Sequence, residues 1–138
     1  MTTPARFTTP PSLADLDALA QGALETIPVP LRRMTEGLAI RIEEFPDEDV
    51  CVEMELESPY DLLGLYQGVA LPFKSVNDAP DDVDRVFLYR APILDYWCET
   101  GEDLTHIVRH VLIHEIGHHF GFSDDDMEGI EAAADDPF

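Results

Sequence analysis

Basic residues are scarce in this chain. Of its 138 residues only 8 are lysine or arginine, against 29 aspartates and glutamates, so the formal net charge is −21 at pH 7. Nucleic acids and anionic membrane surfaces carry charge of the same sign and are repelled by such a protein. We therefore expect neither as a partner, whereas a basic peptide or protein is compatible. Many proteins are acidic only to stay soluble, so the charge by itself does not identify a partner.

Cysteines and long apolar runs are also scarce. Cys51 and Cys98 are the only cysteines and fit no zinc-knuckle spacing, so we expect free thiols in a reducing compartment. No apolar run approaches the ~18 residues of a membrane span. The first residues, MTTPARFTTPPSLADLD, contain no apolar segment of the kind that secretory signals have. Together these absences favour a cytoplasmic protein.

The length is typical of a single domain that buries its own core. Residues 1–11 contain three prolines and predict an extended lead-in, and residues 12–138 predict the domain. Ser12 and Asp15 have the spacing of a capping box, which begins an amphipathic helix that Pro28 stops.

Strands are predicted where apolar residues alternate or cluster. Residues 38–43 alternate as in a strand with one buried face, and residues 62–66 form a short apolar run. Residues 85–90, RVFLYR, are apolar on both faces, which is typical of a central strand. Residues 69–74 contain a proline and predict an edge strand. Residues 50–57 fit either a strand or a short helix, and we favour the helix.

A long helix is predicted from Thr100 to Gly121. Thr100 and Asp103 have the spacing of a second capping box, and Gly121 offers a left-handed end. The apolar residues cover more than one stripe, so we expect this helix to be central and buried, with one face turned to a cleft. They are Leu104, Ile107, Val108, Val111, Leu112 and Ile116.

The chemistry concentrates in the stretch HEIGHHFGFSD at the end of this helix. His114 and His118 are four residues apart, so on a helix both imidazoles project from one face and can reach one tetrahedral zinc ion. Glu115 stands beside the metal and suits a base for a metal-activated water. Gly121 lets the chain turn back, and Asp124 can then supply a third ligand.

Other carboxylates near the end of the chain are alternative third ligands. A glutamate from a following helix would replace Asp124, although such glutamates usually come further along the chain. The alternative to the whole motif is a helix with solvated histidines and no metal. Burial of two histidines and a glutamate beside Ile113 and Ile116 would be costly without a partner, which favours zinc. The alternative carboxylates are Asp125, Asp126, Glu128 and Glu131.

The full pattern, H-E-x-x-H-x-x-G-x-x-D, resembles that of metzincin-type zinc peptidases, with an aspartate in place of the third histidine. SPYDLLGLYQG at residues 58–68 and HVLIHEIGHHFG at residues 110–121 resemble the small bacterial zincin-like metallopeptidase family. The resemblance covers nearly all of the chain after residue 12. Metzincins also have a methionine turn well downstream, whereas here only Met127 follows, so we expect that methionine to fill the core.

This resemblance implies a minimal α+β zincin, in which a small mixed sheet packs on the helix that carries HExxH. It implies Zn²⁺ as the cofactor, with His114, His118 and Asp124 as ligands and Glu115 as the base. It also implies peptidase activity on a peptide or protein substrate that the sequence does not identify.

Further polar residues are weaker candidates for the site. His106 and His110 continue the four-residue series, but each step rises about 6 Å, so neither can join the tetrahedron of the pair. We expect His106 at the surface, His110 partly buried with a hydrogen-bonded partner rather than in support of a metal ligand, and His119 packed under the C-terminal helix rather than lining the cleft. An oxyanion donor is expected among the tyrosines. They are Tyr60, Tyr66, Tyr89 and Tyr96.

These observations predict a zinc-dependent peptidase. Glu115 would carry a proton from the attacking water to the leaving amine, and an edge strand within residues 69–75 would bind the substrate backbone. The alternative is a non-catalytic or partner-specific zinc-binding regulatory module with an acidic surface. The intact Glu115 favours the enzyme, because a structural zinc needs no base. The sequence shows no coiled coil and no clear self-pairing surface, which is compatible with a monomer.

Overall fold

A computed structural model describes residues 7–33, 35–68 and 84–119 of the chain. The elements in these ranges, in chain order, are α1 (Leu13–Leu24), α2 (Val29–Arg33), β1 (Ala39–Glu43), α3 (Glu48–Glu53), a 3₁₀ helix (Pro59–Asp61), β2 (Gly64–Gln67), β3 (Arg85–Tyr89), α4 (Arg90–Thr100) and α5 (Leu104–His119).

Polar side chains at the helix starts bind the backbone amides that have no partner within the helix. The Ser12 hydroxyl accepts a hydrogen bond from the backbone N of Asp15 at 3.0 Å, and the Asp15 carboxylate accepts one from the backbone N of Ser12 at 2.8 Å. The capping box predicted for α1 is therefore confirmed. Asp47 caps α3 by accepting from the backbone N of Val50 at 2.9 Å, so the ambiguous segment begins as a helix, as favoured.

The three strands form one mixed sheet with β3 in the centre, in the order β1-β3-β2. β1 runs parallel to β3, with Ile40 opposite Val86, and β2 runs antiparallel to β3, with Gly64 opposite Leu88. Val86 and Leu88 have no exposed surface. The central position predicted for RVFLYR is therefore confirmed.

Helices α1 and α5 pack against each other, and both contact the sheet. All the apolar residues predicted for α5 are buried, so this helix lies at the centre of the core. No helix in the described ranges is both long and apolar enough to cross a membrane. The result is a small α+β domain, as predicted. Besides α5, the core contains Leu16, Ala20, Ala23, Ile27, Val86, Leu88 and Ile93.

The junction between α4 and α5 differs from the prediction. Thr100 is the last residue of α4, and Gly101 ends that helix in the left-handed conformation with φ of 70°. The carboxylate that caps α5 belongs to Asp103, which accepts from the backbone N of His106 at 3.3 Å. Thr100 accepts instead from the backbone N of Glu102. The capping box at Thr100 is therefore wrong, because the glycine that follows it ends one helix before the next begins.

Strand β2 and helix α5 approach each other closely at Gly64. A Cβ atom on this glycine would lie 2.6 Å from Cγ1 of Val111, 3.1 Å from the carbonyl oxygen of Phe87 and 3.4 Å from Cγ of Glu115. Nonbonded carbon atoms pack at about 3.5–4.0 Å, so the first of these contacts requires displacement. The lack of a side chain at Gly64 therefore lets the strand lie against the part of α5 that carries Glu115.

Gly64→Ala is expected to lower the free energy of unfolding by about 1–3 kcal/mol, because a stiff β-branched side chain and a backbone carbonyl both resist displacement. Urea unfolding followed by circular dichroism measures the change. Gly22→Ala in α1 is the matched control, since nothing lies within 4 Å of the added methyl group. The control should be about 0.5–1 kcal/mol more stable than the wild type, because alanine favours a helix. A Gly64→Ala protein as stable as the wild type would contradict this account of the contact.

Candidate metal centre

Two imidazoles lie side by side near the described end of α5. The ring centres of His114 and His118 are 4.9 Å apart, and the ring planes are inclined by 69°. Two imidazoles that bind one tetrahedral zinc ion at ~2.0–2.1 Å have ring centres about 5 Å apart. The side chain of His118 is 40% exposed, so solvent reaches the pair. The two side chains therefore fit a zinc ion as two of its ligands.

Glu115 lies beside these histidines and against β2, and it is only 8% exposed. Its Oε1 lies 3.3 Å from Nδ1 of His118, which leaves Nε2 of that ring as a metal donor. The backbone amide of Tyr66 also donates a hydrogen bond to the Glu115 carboxylate. The motif glutamate is thus held between the histidines of α5 and strand β2.

Burial raises the pKa of Glu115 above its ordinary value. His118, His114 and the amide of Tyr66 all favour the charged carboxylate and oppose this rise, but burial outweighs them. A carboxylate whose pKa is raised accepts a proton more readily near neutral pH. Such a group suits a reaction that takes up a proton in one step and returns it in the next.

Tyr66 connects Glu115 to a second buried carboxylate. The phenol of Tyr66 hydrogen-bonds to Asp84, which is 6% exposed and lies just before β3. Burial, and next the neighbouring Asp84, raises the pKa of the Tyr66 phenol. Gly68 packs against the same carboxylate, where a Cβ atom would overlap Oδ1 of Asp84. Tyr66 is therefore held on both sides, by its amide at Glu115 and by its phenol at Asp84.

The two upstream histidines do not join the pair. His106 is exposed, as expected, but His110 is exposed rather than partly buried. Both line a cavity along α5 rather than packing into the core, which explains the exposure of His110. Their ring centres are 6.4 Å apart, compared with 4.9 Å for His114 and His118.

The four tyrosines differ in their surroundings. Tyr66 uses its phenol for Asp84. Tyr89 is 2% exposed, and burial, followed by neighbouring acidic groups, raises its pKa to about 12. Tyr60 packs edge-on against the ring of Phe45. Tyr96 is 38% exposed and lines the cavity beside α5, so it is the tyrosine of the four that is open to a ligand there.

Several predicted residues lie outside the described residues. They include Asp124, Gly121, Met127, the side chain of His119 and the edge strand predicted within residues 69–75. Within residues 7–33, 35–68 and 84–119, no group of three His, Cys, Asp or Glu side chains has the geometry to hold a metal ion. The third ligand therefore stays a prediction from the sequence.

A family model described as zincin-like metallopeptidase matches residues 35–134, which contain the sheet and the HExxH helix. The chain belongs to the zincin-like metallopeptidase family. The family resemblance of the sequence is thereby confirmed, as is the small α+β fold. Zincins are zinc-dependent peptidases, so membership supports a peptidase function in general terms. A search of curated proteins finds no match to the chain.

Sequence reasoning missed the contribution of β2 to the zincin-like site. Tyr66 and Asp84 are 18 positions apart in the sequence, and the Tyr66 phenol reaches the Asp84 carboxylate because β2 pairs with β3. The available signal was the pair of glycines, Gly64 and Gly68, on either side of Tyr66. Glycine in a strand often marks the close approach of another group, but the pattern does not say which group approaches.

Tyr66→Phe is expected to lower the free energy of unfolding by about 1–3 kcal/mol, because the buried Asp84 carboxylate loses a hydrogen-bond donor. Chemical denaturation at neutral pH measures the loss. Tyr60→Phe is the matched control, since Tyr60 is 46% exposed and should change stability by less than about 0.5 kcal/mol. If the two variants lose the same stability, the bond between Tyr66 and Asp84 makes no net contribution.

Proposed function

We propose that this protein is a zinc-dependent peptidase that hydrolyses peptide bonds, with His114, His118 and Asp124 as zinc ligands and Glu115 as the general base. The position of Glu115 is the observation that supports this most strongly. It is buried beside the histidine pair and receives a backbone hydrogen bond from β2. Zincin family membership supports the same reaction class.

A zinc ion held at this site supplies a Lewis acid that polarises the scissile carbonyl and makes the attacking water more acidic. Glu115 accepts the proton of that water at its carboxylate and then passes it to the leaving nitrogen. The contact with His118 and the hydrogen bond from Tyr66 keep the carboxylate in one position during both transfers. The low exposure of Glu115 limits proton exchange with bulk water.

Strand β2 is suited to bind the substrate backbone. The backbone N of Tyr89 donates to the carbonyl oxygen of Leu63 at 3.0 Å. In this antiparallel register the backbone polar groups of Leu63, and of every second residue after it, therefore point towards β3. The backbone groups of Gly64 and Tyr66 therefore face away from β3. The Tyr66 amide donates to Glu115, so this edge of β2 faces the motif glutamate, and an extended peptide that pairs along the edge at Gly64 would lie beside Glu115.

A non-catalytic zinc-binding module is the rival function. A structural zinc site needs ligands but no buried carboxylate beside them, and burial of a carboxylate costs stability. Glu115 is buried beside the histidine pair, and Gly64 of β2 lies close to it. This arrangement favours the peptidase.

Glu115→Gln is expected to keep the zinc and to lower the rate of peptide hydrolysis by about 10²–10⁴-fold, because glutamine cannot accept the proton. The measurement is the rate at which the zinc-loaded chain creates new amino termini in a peptide mixture from a digested proteome, read by mass spectrometry. Glu53→Gln, an exposed change on α3, is the matched control and should cleave as the wild type does. If the Glu115→Gln protein cleaves peptides at the wild-type rate, Glu115 is not the general base.

Asp124→Ala is expected to weaken zinc binding by about a hundredfold or more, since loss of a ligand costs more than loss of a group that merely supports one. Zinc content after dialysis and competition with a chelator of known affinity give the measurement. Asp95→Ala on α4, at an exposed acid, should retain full affinity. If Asp124→Ala retains full zinc affinity, the third ligand is one of the alternative carboxylates. Single substitutions at Glu128 and Glu131 would then test these two.

A further inference from the structure

A cavity of about 310 Å³ lies along α5, just upstream of the histidine pair. Its inner wall is apolar and consists of Leu63, Ile107 and Val111, of which Ile107 and Val111 are buried. Its outer wall is polar and aromatic. That wall contains Tyr96, Glu102, His106 and His110, all of which are exposed.

The cavity is close to the proposed reaction centre. Val111 contacts Gly64 and lies one helical turn before Glu115, and each turn of α5 rises about 5.4 Å. Leu63 lies immediately before β2, whose outward backbone groups are suited to pair with a substrate. An extended peptide advances about 3.3 Å per residue, so a peptide beside β2 would place a side chain at the cavity within about three residues of the bond cleaved.

The walls of the cavity match one class of side chain. A lysine or arginine has an apolar stem, which suits Ile107 and Val111, and a cationic head, which suits a carboxylate and the face of an aromatic ring. Glu102 supplies the carboxylate and Tyr96 the ring. An acidic side chain of a substrate would be repelled by Glu102 and by the net charge of −21 on the chain.

We infer that this cavity is a subsite for a lysine or arginine side chain of the substrate, within about three residues of the scissile bond, with Glu102 as the residue that selects the positive charge. The inference rests on the proposed peptidase function. With this subsite, the protein would cleave other proteins in segments that contain lysine or arginine.

Cleavage preference gives the first test. The zinc-loaded full chain is incubated with peptides prepared by a glutamate-specific protease, so that lysine and arginine remain inside the peptides, and the cleaved sites are mapped by mass spectrometry. Lysine or arginine should be enriched at one position near the cleaved bond. Glu102→Lys should reduce kcat/KM for such peptides by about fivefold or more. For peptides with a neutral residue at that position, the same substitution should reduce kcat/KM much less.

Glu99→Lys is the matched control, since Glu99 is also exposed, lies three residues before Glu102 and does not line the cavity. It makes the same change in net charge and should leave the preference intact. Cleavage without a basic preference, or an equal effect of both variants, would overturn the subsite and leave the peptidase function standing.

Binding without turnover gives a second test that does not depend on activity. In a Glu115→Gln background, fluorescence anisotropy measures the affinity for a labelled decapeptide of alternating alanine and lysine. A second decapeptide has glutamine in place of lysine. Glu102→Lys should weaken binding of the lysine peptide about fivefold, whereas Glu99→Lys should change it by less than about twofold. The glutamine peptide should not distinguish these variants.

The two tests separate the two proposals. Selective binding of the lysine peptide in a protein that cleaves nothing would retain the subsite and contradict the peptidase function. Equal binding of both peptides, or equal weakening by the two lysine substitutions, would overturn the subsite whether or not the protein cleaves peptides.

Discussion

The contact between Gly64 and α5 is the constraint on which the rest of the site depends. A side chain at Gly64 would displace β2 from Val111 and Glu115. That displacement would also separate the amide of Tyr66 from the Glu115 carboxylate and admit water to it. The helix thus supplies the residues of the motif, and the strand creates the buried environment of Glu115, for which we propose the role of base.

Opposing effects act on Glu115, and their balance sets its chemistry. Burial favours the protonated carboxyl, whereas His118, His114 and the amide of Tyr66 favour the charged carboxylate. A divalent cation at the histidine pair would add to the second group of effects. Burial outweighs the other effects in this structure, so the pKa of Glu115 is raised and its carboxylate accepts a proton more readily than an exposed one does. The bond from Tyr66 to Asp84 fixes the strand that supplies one of these effects.

Much of the fold followed from local patterns in the sequence, and the errors lie where nonlocal packing decides the structure. The HExxH helix was predictable because its apolar residues recur at helical spacing, and the central strand because RVFLYR is apolar on both faces. The predicted start at Thr100 was wrong, because Thr100 is the last residue of α4, Gly101 ends that helix, and Asp103 caps α5. In the sequence Gly64 interrupts an apolar run. Its role, which is to let β2 approach α5 closely, depends on a contact between residues far apart in the chain. The third ligand lies beyond the described residues, so its prediction still rests on the spacing from Gly121 to Asp124.

Glu115 and Glu102 show how the environment gives two residues of one type different properties. Glu115 is buried, and burial raises its pKa, so it is suited to exchange a proton. Glu102 is exposed at the cavity, where water compensates its charge and leaves it able to attract a cation. The net charge of −21 acts over a longer range and favours the approach of any basic segment. Long-range charge is screened by salt, whereas the contact with Glu102 is local. The acidic surface would therefore govern how often a basic segment arrives, and Glu102 would govern which of its bonds lies beside Glu115.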